Sequence, residues 1–176
     1  MSATKWVIDP THSEIGFKVK HMMFTNVSGK FSKFDATIES ENNDFENATI
    51  EFTGAVDSIT TGNADRDTHL LSVDFFDAAQ FPELKFSATS FTKVNEGEYE
   101  LVGDLTLHGV TKSVKLSAEY SGLLTDPWGN AKIAFSLDGK INRKDWGLNW
   151  NSVLETGGVL VGEEVRLLIE LQFIKQ

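Results

Sequence analysis

Apolar and polar residues alternate with a period of two in eight stretches of this chain, and few folds accommodate that pattern. Period two sends successive side chains to opposite faces of a β-strand, giving each stretch one face for a core and one for water. Ile15, Phe17 and Val19 alternate with Glu14, Gly16, Lys18 and Lys20, and Ile50, Phe52, Gly54 and Val56 with Glu51, Thr53 and Asp57. The pattern returns at Leu84–Ala88, Tyr99–Leu107, Val114–Tyr120, Ile133–Ile141 and Val165–Phe173, with a less regular run from Val27 to Ile38. Turn residues separate the runs: Asn95-Glu96-Gly97, Gly109-Val110-Thr111, and the longer Asp126-Pro127-Trp128-Gly129-Asn130. Gly54, Gly103 and Gly139 fall inside strand patterns, where a missing side chain permits the coiling that closure of a sheet demands. The expectation is one all-β domain over residues 1–176, an antiparallel barrel of eight strands.

One segment breaks the alternation. Asn63 to Pro82, NADRDTHLLSVDFFDAAQFP, reads as helical over about residues 64–80. Asn63 suits an N-cap, Asp65 and Asp67 favour the positive end of the helix dipole, and Pro82 disfavours helix at Phe81. Leu70, Leu71, Phe75, Phe76 and Phe81 then need burial against the sheet, making this insert a lid or plug over whatever the barrel encloses.

Charge and composition narrow the chemistry. A formal net charge of −10 disfavours nucleic acid and anionic membrane surfaces, which attract basic fields. Cysteine is absent, so disulfides, thiolate catalysis and cysteine metal sites are excluded. No integral membrane segment and no leader is visible, which favours the cytoplasm, or the periplasm if a native leader has been removed. His12, His21, His69 and His108 are too scattered for a zinc motif, and no metal is expected. There is no nucleophile elbow, and Ser13 beside His12 is only a dipeptide. Gly157, Gly158 and Gly162 do not precede a helix, so no phosphate cradle forms there. No cofactor and no catalytic residue is assigned.

What remains is an apolar interior. Thirteen phenylalanines stand against two tyrosines, and Gly54, Ala88, Gly103, Ala118 and Gly139 have the parity to leave room inside. An eight-stranded barrel is just wide enough to be filled by side chains or to hold one small ligand. His21 continues the inward parity of Val19, while Arg143 and Asp145 continue that of Ile141, placing polar groups at the rim. Those groups either contact a ligand or close the barrel end as a buried network.

Several motifs resemble the YceI family. They are W-x-I-D-x-x-H-S-x-I-x-F-x-V-x-H from Trp6 to His21, N-x-x-R-D-x-H-L-x-S-x-D-F-F-D from Asn63 to Asp77, Phe81-Pro82, Leu105-Thr106, Gly109-Val110-Thr111, Asp126-Pro127-Trp128-Gly129, Ile141-Asn142-Arg143, Asp145, Gly147-Leu148 and Trp150-Asn151. The resemblance implies an extended, lipocalin-like eight-stranded barrel whose lumen takes up a polyisoprenoid or similar long-chain amphiphile, and it implies binding without chemistry. It also puts Arg66, Asp67, His69, Leu70, His21, Asn142, Arg143 and Asp145 on motif positions.

The expected function is therefore sequestration or transport of an isoprenoid or fatty-acid-like lipid, the small apolar ligand being the partner. Phe17, Val19, Phe52, Phe86, Leu105 and Phe135 are expected around the tail, Leu70 and Phe76 on the lid, and His21, Arg66, His69 and Arg143 as polar contacts. Two alternatives stay open. One is a hydrolase or isomerase using His69, Asp67 and Arg66; the other is a structural module with a filled core. An edge strand, or an exposed Trp128, offers a route to a homodimer.

Overall fold

A computed structural model describes residues 3–22, 24–41, 45–151 and 160–176, so Gly157 and Gly158 lie outside it. Its strands are β1 (Thr4–Ile8), β2 (Glu14–His21), β3 (Thr25–Phe31), β4 (Phe34–Ser40), β5 (Thr49–Ala55), β6 (Ile59–Thr60), β7 (Glu83–Asn95), β8 (Glu98–Leu107), β9 (Val110–Thr125), β10 (Ala131–Asn142) and β11 (Val161–Lys175). Helix α1 (Ala64–Leu71) lies between β6 and β7. Neighbours run β1-β4-β5-β7-β8-β9-β10-β11, and β11 returns to β1 through the pair Ile8 and Phe173. The ring of eight strands is thus closed, and its pairings are antiparallel.

Eleven segments make eight staves because three neighbouring staves bend at one level. β1 and β2 are joined through a 3-10 turn at Pro10–His12, β3 and β4 through Ser32 and Lys33, and β5 and β6 through a 3-10 turn at Val56–Ser58. β11 pairs with β2 along Glu170–Val161 and with β1 along Phe173–Lys175, spanning the bend. The first stave therefore begins at Thr4, ahead of the alternation at Glu14, and the run from Val27 to Ile38 proves to be two strands. The bends let one end close tightly while β2, β3 and β6 carry the wall on at the other.

The tight end is packed with aromatic rings. Phe45, in the connection from β4 to β5, turns inward with a φ of 62° and is 3% exposed. It meets Trp6, Tyr120 and Phe135 at ring separations of 5.9, 5.4 and 5.7 Å. Phe135 also meets Phe91 and Tyr99, so these rings seal the barrel.

A clasp on the first bend explains the motif around His12. Asp9 is buried and accepts from His12 Nδ1 at 2.8 Å, Thr11 Oγ1 at 2.7 Å and Lys132 Nζ at 3.2 Å. Ser13 Oγ donates to the Asp9 carbonyl. Burial works to raise the Asp9 pKa, but the hydrogen bonds from His12, Thr11 and Lys132 together hold it far below the ordinary carboxylate range. A depressed folded-state pKa contributes stability that is present above the unfolded value, about 3.9, and is lost as pH falls below it. Acid titration followed by circular dichroism is expected to show this loss below about pH 4. Asp9→Asn should flatten the acid limb and cost about 2 kcal/mol at neutral pH. An unchanged limb would remove Asp9 from the account.

The interior glycines are filled, contrary to the expectation that they leave lumen space. The Phe86 ring lies over Gly103 and the Leu116 side chain over Gly139, so a Cβ at either position would collide with a neighbour. Close approach of packed side chains, rather than an opening for ligand, is what these positions require.

Candidate functional site

A cavity of about 700 Å³ fills the barrel on the α1 side of the aromatic seal. Its walls are the inward residues of the staves, including Ile15, Phe17 and Val19 of β2, Phe52 of β5, Phe86 of β7 and Leu105 of β8. Leu137 and Ile141 of β10 and Val165, Leu167, Ile169, Leu171 and Phe173 of β11 complete the circuit. Period two brings them together: each stave sends every second side chain inward, and closure makes those rows face one another. Phe17, Val19, Phe52, Leu105, Leu137, Leu167 and Ile169 stay only partly buried although they point inward, since no protein atoms cover them. Phe173, by contrast, is 1% exposed near the seal.

Helix α1 covers the opposite end with one stripe. Asn63 caps it, its side chain accepting from Arg66 N–H at 3.0 Å. Arg66, His69 and Leu70 fall on one face at the i, i+3, i+4 spacing and line the cavity. The helix is shorter than expected, ending at Leu71 where the segment was read as helical to about residue 80. Ser72 Oγ donates to the His69 carbonyl, while Phe76 and Ala78 N–H return to the Leu70 and Leu71 carbonyls, winding the chain into turns. Those turns carry Phe76 onto Phe31 at 6.3 Å and put Phe75 beside His69 at 5.2 Å. The His69 ring stands edge-on to Trp150 at 4.7 Å, and its Nε2 pairs with Asp74 Oδ2 at 2.9 Å.

Four of the expected site residues lie elsewhere. Asp67 sits about 100° around α1 from Arg66 and accepts from Thr61 N–H at 2.9 Å. Arg66 and Asp67 meet through Thr61 Oγ1 while His69 pairs with Asp74, so the three are not gathered on one reacting atom, as acid–base chemistry would need. Phe135 belongs to the aromatic seal. Asn142 ends β10 and caps the 3-10 turn Arg143–Trp146 by accepting from Lys144 N–H, and that turn breaks the strand parity and leaves Asp145 exposed.

Arg143 does reach the cavity. It is 4% exposed and donates to four main-chain carbonyls: Gly162 at 2.8 Å, Leu148 at 2.6 Å, Trp150 at 2.9 Å and Val161 at 3.3 Å. Burial pushes its pKa down, and the nearby Glu163 charge opposes that. Trp146, 2% exposed, anchors the same turn by donating its indole N–H to the Leu105 carbonyl at 2.9 Å.

The β11 row was legible as parity but was not singled out, and it supplies more of the wall than any one residue chosen for it. Phe75 and Trp150 around His69 gave no periodic signal, because both lie in irregular backbone. Among the described residues, no group of three or more His, Asp or Glu side chains is placed to hold a metal ion. No helix among them is long and apolar enough to cross a membrane.

Similarity to known proteins runs along the whole chain. A family model described as a YceI-like domain matches residues 6–173. The UPF0312 protein SA2479 of Staphylococcus aureus strain N315 is 36% identical over 171 residues, 97% of each chain. The crystal structure of a Campylobacter jejuni YceI protein superposes with a TM-score of 0.75 at 30% identity, covering 89% of this chain and 90% of that one. Burkholderia cenocepacia BcnA, at 21% identity, shares the fold with a TM-score of 0.80 over 94% of this chain and 98% of its own. A domain from Saccharophagus degradans, described as polyisoprenoid binding and implicated in plant cell wall breakdown, shares it at 15% identity and a TM-score of 0.68, covering 97% of this chain and 98% of that one.

Proposed function

Because the chain belongs to the YceI-like family, we propose that its cavity binds the tail of one long-chain lipid, a polyisoprenoid or a fatty-acid-like amphiphile, for sequestration or transport. One observation carries this: a ring of inward apolar side chains that the protein itself leaves uncovered. In a barrel with a filled core those rows would meet, as the rings of the aromatic seal do. The description of the Saccharophagus degradans domain as polyisoprenoid binding points the same way.

The size fits the role. At roughly 30 Å³ for each methylene-sized group, about 700 Å³ accepts on the order of twenty of them. Burying even ten contributes about 8 kcal/mol, and full occupancy about twice that, against an association cost of about 4 kcal/mol and upward. The acid–base candidates are dispersed, with His69 paired to Asp74 and Asp67 turned to Thr61, which favours binding over turnover.

Native mass spectrometry of gently purified protein, with organic extraction of the sample, tests this directly. A long-chain lipid adduct is expected, and apo mass with no saturable uptake of an added long-chain probe would end the proposal. Leu167→Trp, which puts an indole into the cavity, is expected to weaken probe binding by about tenfold or more while moving Tm by only a few degrees. Unchanged uptake in that variant would place the ligand outside the barrel.

A further inference from the structure

The chain carries 26 acidic and 16 basic residues, so the protein as a whole is strongly acidic. Its three arginines divide by location. Arg166, on the outer face, pairs with Asp138 at 3.1 Å. Arg66 and Arg143 both line the cavity, and neither makes an ion pair among the described residues. Lys20 also borders the cavity, against Asp65 as the acidic lining residue. The cavity end under α1 is thus locally cationic within a strongly acidic protein.

The two guanidinium groups are held in different ways. Arg143 is locked by main-chain carbonyls, which orient it without cancelling its charge. Arg66 is steadied from one side: Nε donates to Thr61 Oγ1 at 2.7 Å and Nη2 to the Thr61 carbonyl at 2.8 Å. Thr61 in turn donates to Asp67, which fixes the arrangement and leaves Arg66 Nη1 uncommitted among the described residues. A guanidinium with its edge free, beside an apolar cavity of low dielectric, is a ready donor to an anion.

We propose that the cavity selects amphiphiles with an anionic head, a carboxylate or a phosphate ester, which Arg66 binds at the α1 end while the charge of Arg143 favours it from the wall. This rests on the cavity being a lipid site and adds the class of head. The tail supplies affinity by burial, and the unpaired arginines discriminate the head, because removing one charge from the ligand leaves them with no counter-ion.

The test compares heads on matched tails: palmitate with hexadecanol, and geranylgeranyl phosphate with geranylgeraniol, by isothermal titration at about pH 8, where free carboxylates are ionised. In the wild type the anionic member of at least one pair is expected to bind about tenfold tighter, with the contrast shrinking as ionic strength rises. Whichever pair shows the contrast identifies a fatty carboxylate or a prenyl phosphate as the source. Arg66→Gln should bring the two members to within about twofold, and Arg66→Lys should keep part of the contrast. Equal binding of both members in the wild type would overturn the head-group inference while leaving the lipid reading intact. Failure of all four to bind would overturn the lipid reading itself. Full contrast persisting in a folded Arg66→Gln protein would take the role from Arg66; should that variant not fold, the wild-type contrast and its salt dependence decide.

Discussion

Replacing Phe135 with alanine is expected to destabilise the protein by about 3–5 kcal/mol and, in the molecules that stay folded, to lengthen the lumen. Phe135 is 3% exposed and is the hub of the seal, with Phe45, Phe91, Tyr99 and Tyr120 all within 6.4 Å of it, centroid to centroid. Removing its ring takes away transfer free energy and leaves a void that four rigid neighbours cannot refill. The lost ring also borders a small void of about 30 Å³, shared with Leu137, Leu171 and Phe173, which in turn line the main cavity. The two spaces should therefore merge. Chemical denaturation measures the stability term, and native mass spectrometry over a ladder of chain lengths measures the lumen, with preference shifting toward longer tails. Unchanged length preference in folded Phe135→Ala would mean that something other than the seal limits the chain.

Arg143→Met should have a comparable effect on stability by another route. Methionine follows the apolar stem of arginine but ends about where Nε lies and cannot donate, so the carbonyls of Gly162, Leu148 and Trp150 lose this donor together, while that of Val161 keeps Asn151 Nδ2 at 2.8 Å. Each unsatisfied buried acceptor costs about 1–3 kcal/mol, though relief of the buried charge offsets part, and a net loss of about 3–5 kcal/mol is expected. The loss should be local first, because these bonds tie the turn after β10 to the start of β11. Hydrogen exchange at Leu148, Trp150 and Val161 should rise before global unfolding. If methionine instead matches the wild type in denaturation and exchange, the carbonyl cluster does not hold the turn.

Cutting the seal or the carbonyl cluster would tell little about the head group, which is why the ligand comparison rests on Arg66. Of the two arginines at the cavity, Arg66 is the one that can be neutralised with fewer structural bonds lost. The enzyme alternative would rest on His69, whose Nε2 pairs with Asp74 and whose ring meets those of Phe75 and Trp150, and on Asp67, which is held by Thr61.

The strand pattern was legible because it is local. Whether Phe17 or Lys18 faces the core is decided by alternation, and slipping the register by one residue would expose the whole apolar row to water. The same holds for the Asn63 cap, read from one side chain and its nearest amides. Arg143 was legible as a rim group but not in its role: the 3-10 turn starting at that residue ends the parity, and its four acceptors come from backbone up to 19 residues away. Phe45 gave no signal at all, since a plug is defined by the hole it enters.

By itself, then, the sequence determined eight staves, their inward rows and a capped helical insert, because each follows from contacts within a few residues along the chain. Only the tertiary structure decided that the rows of β2, β10 and β11 stand apart around a cavity while Phe45, Phe91, Tyr99, Tyr120 and Phe135 meet as a seal. The difference is one of curvature. Where staves bend together and close, between Ile8 and Phe173, opposite side chains touch; where the wall flares beyond the bends, residues of the same type cannot reach across.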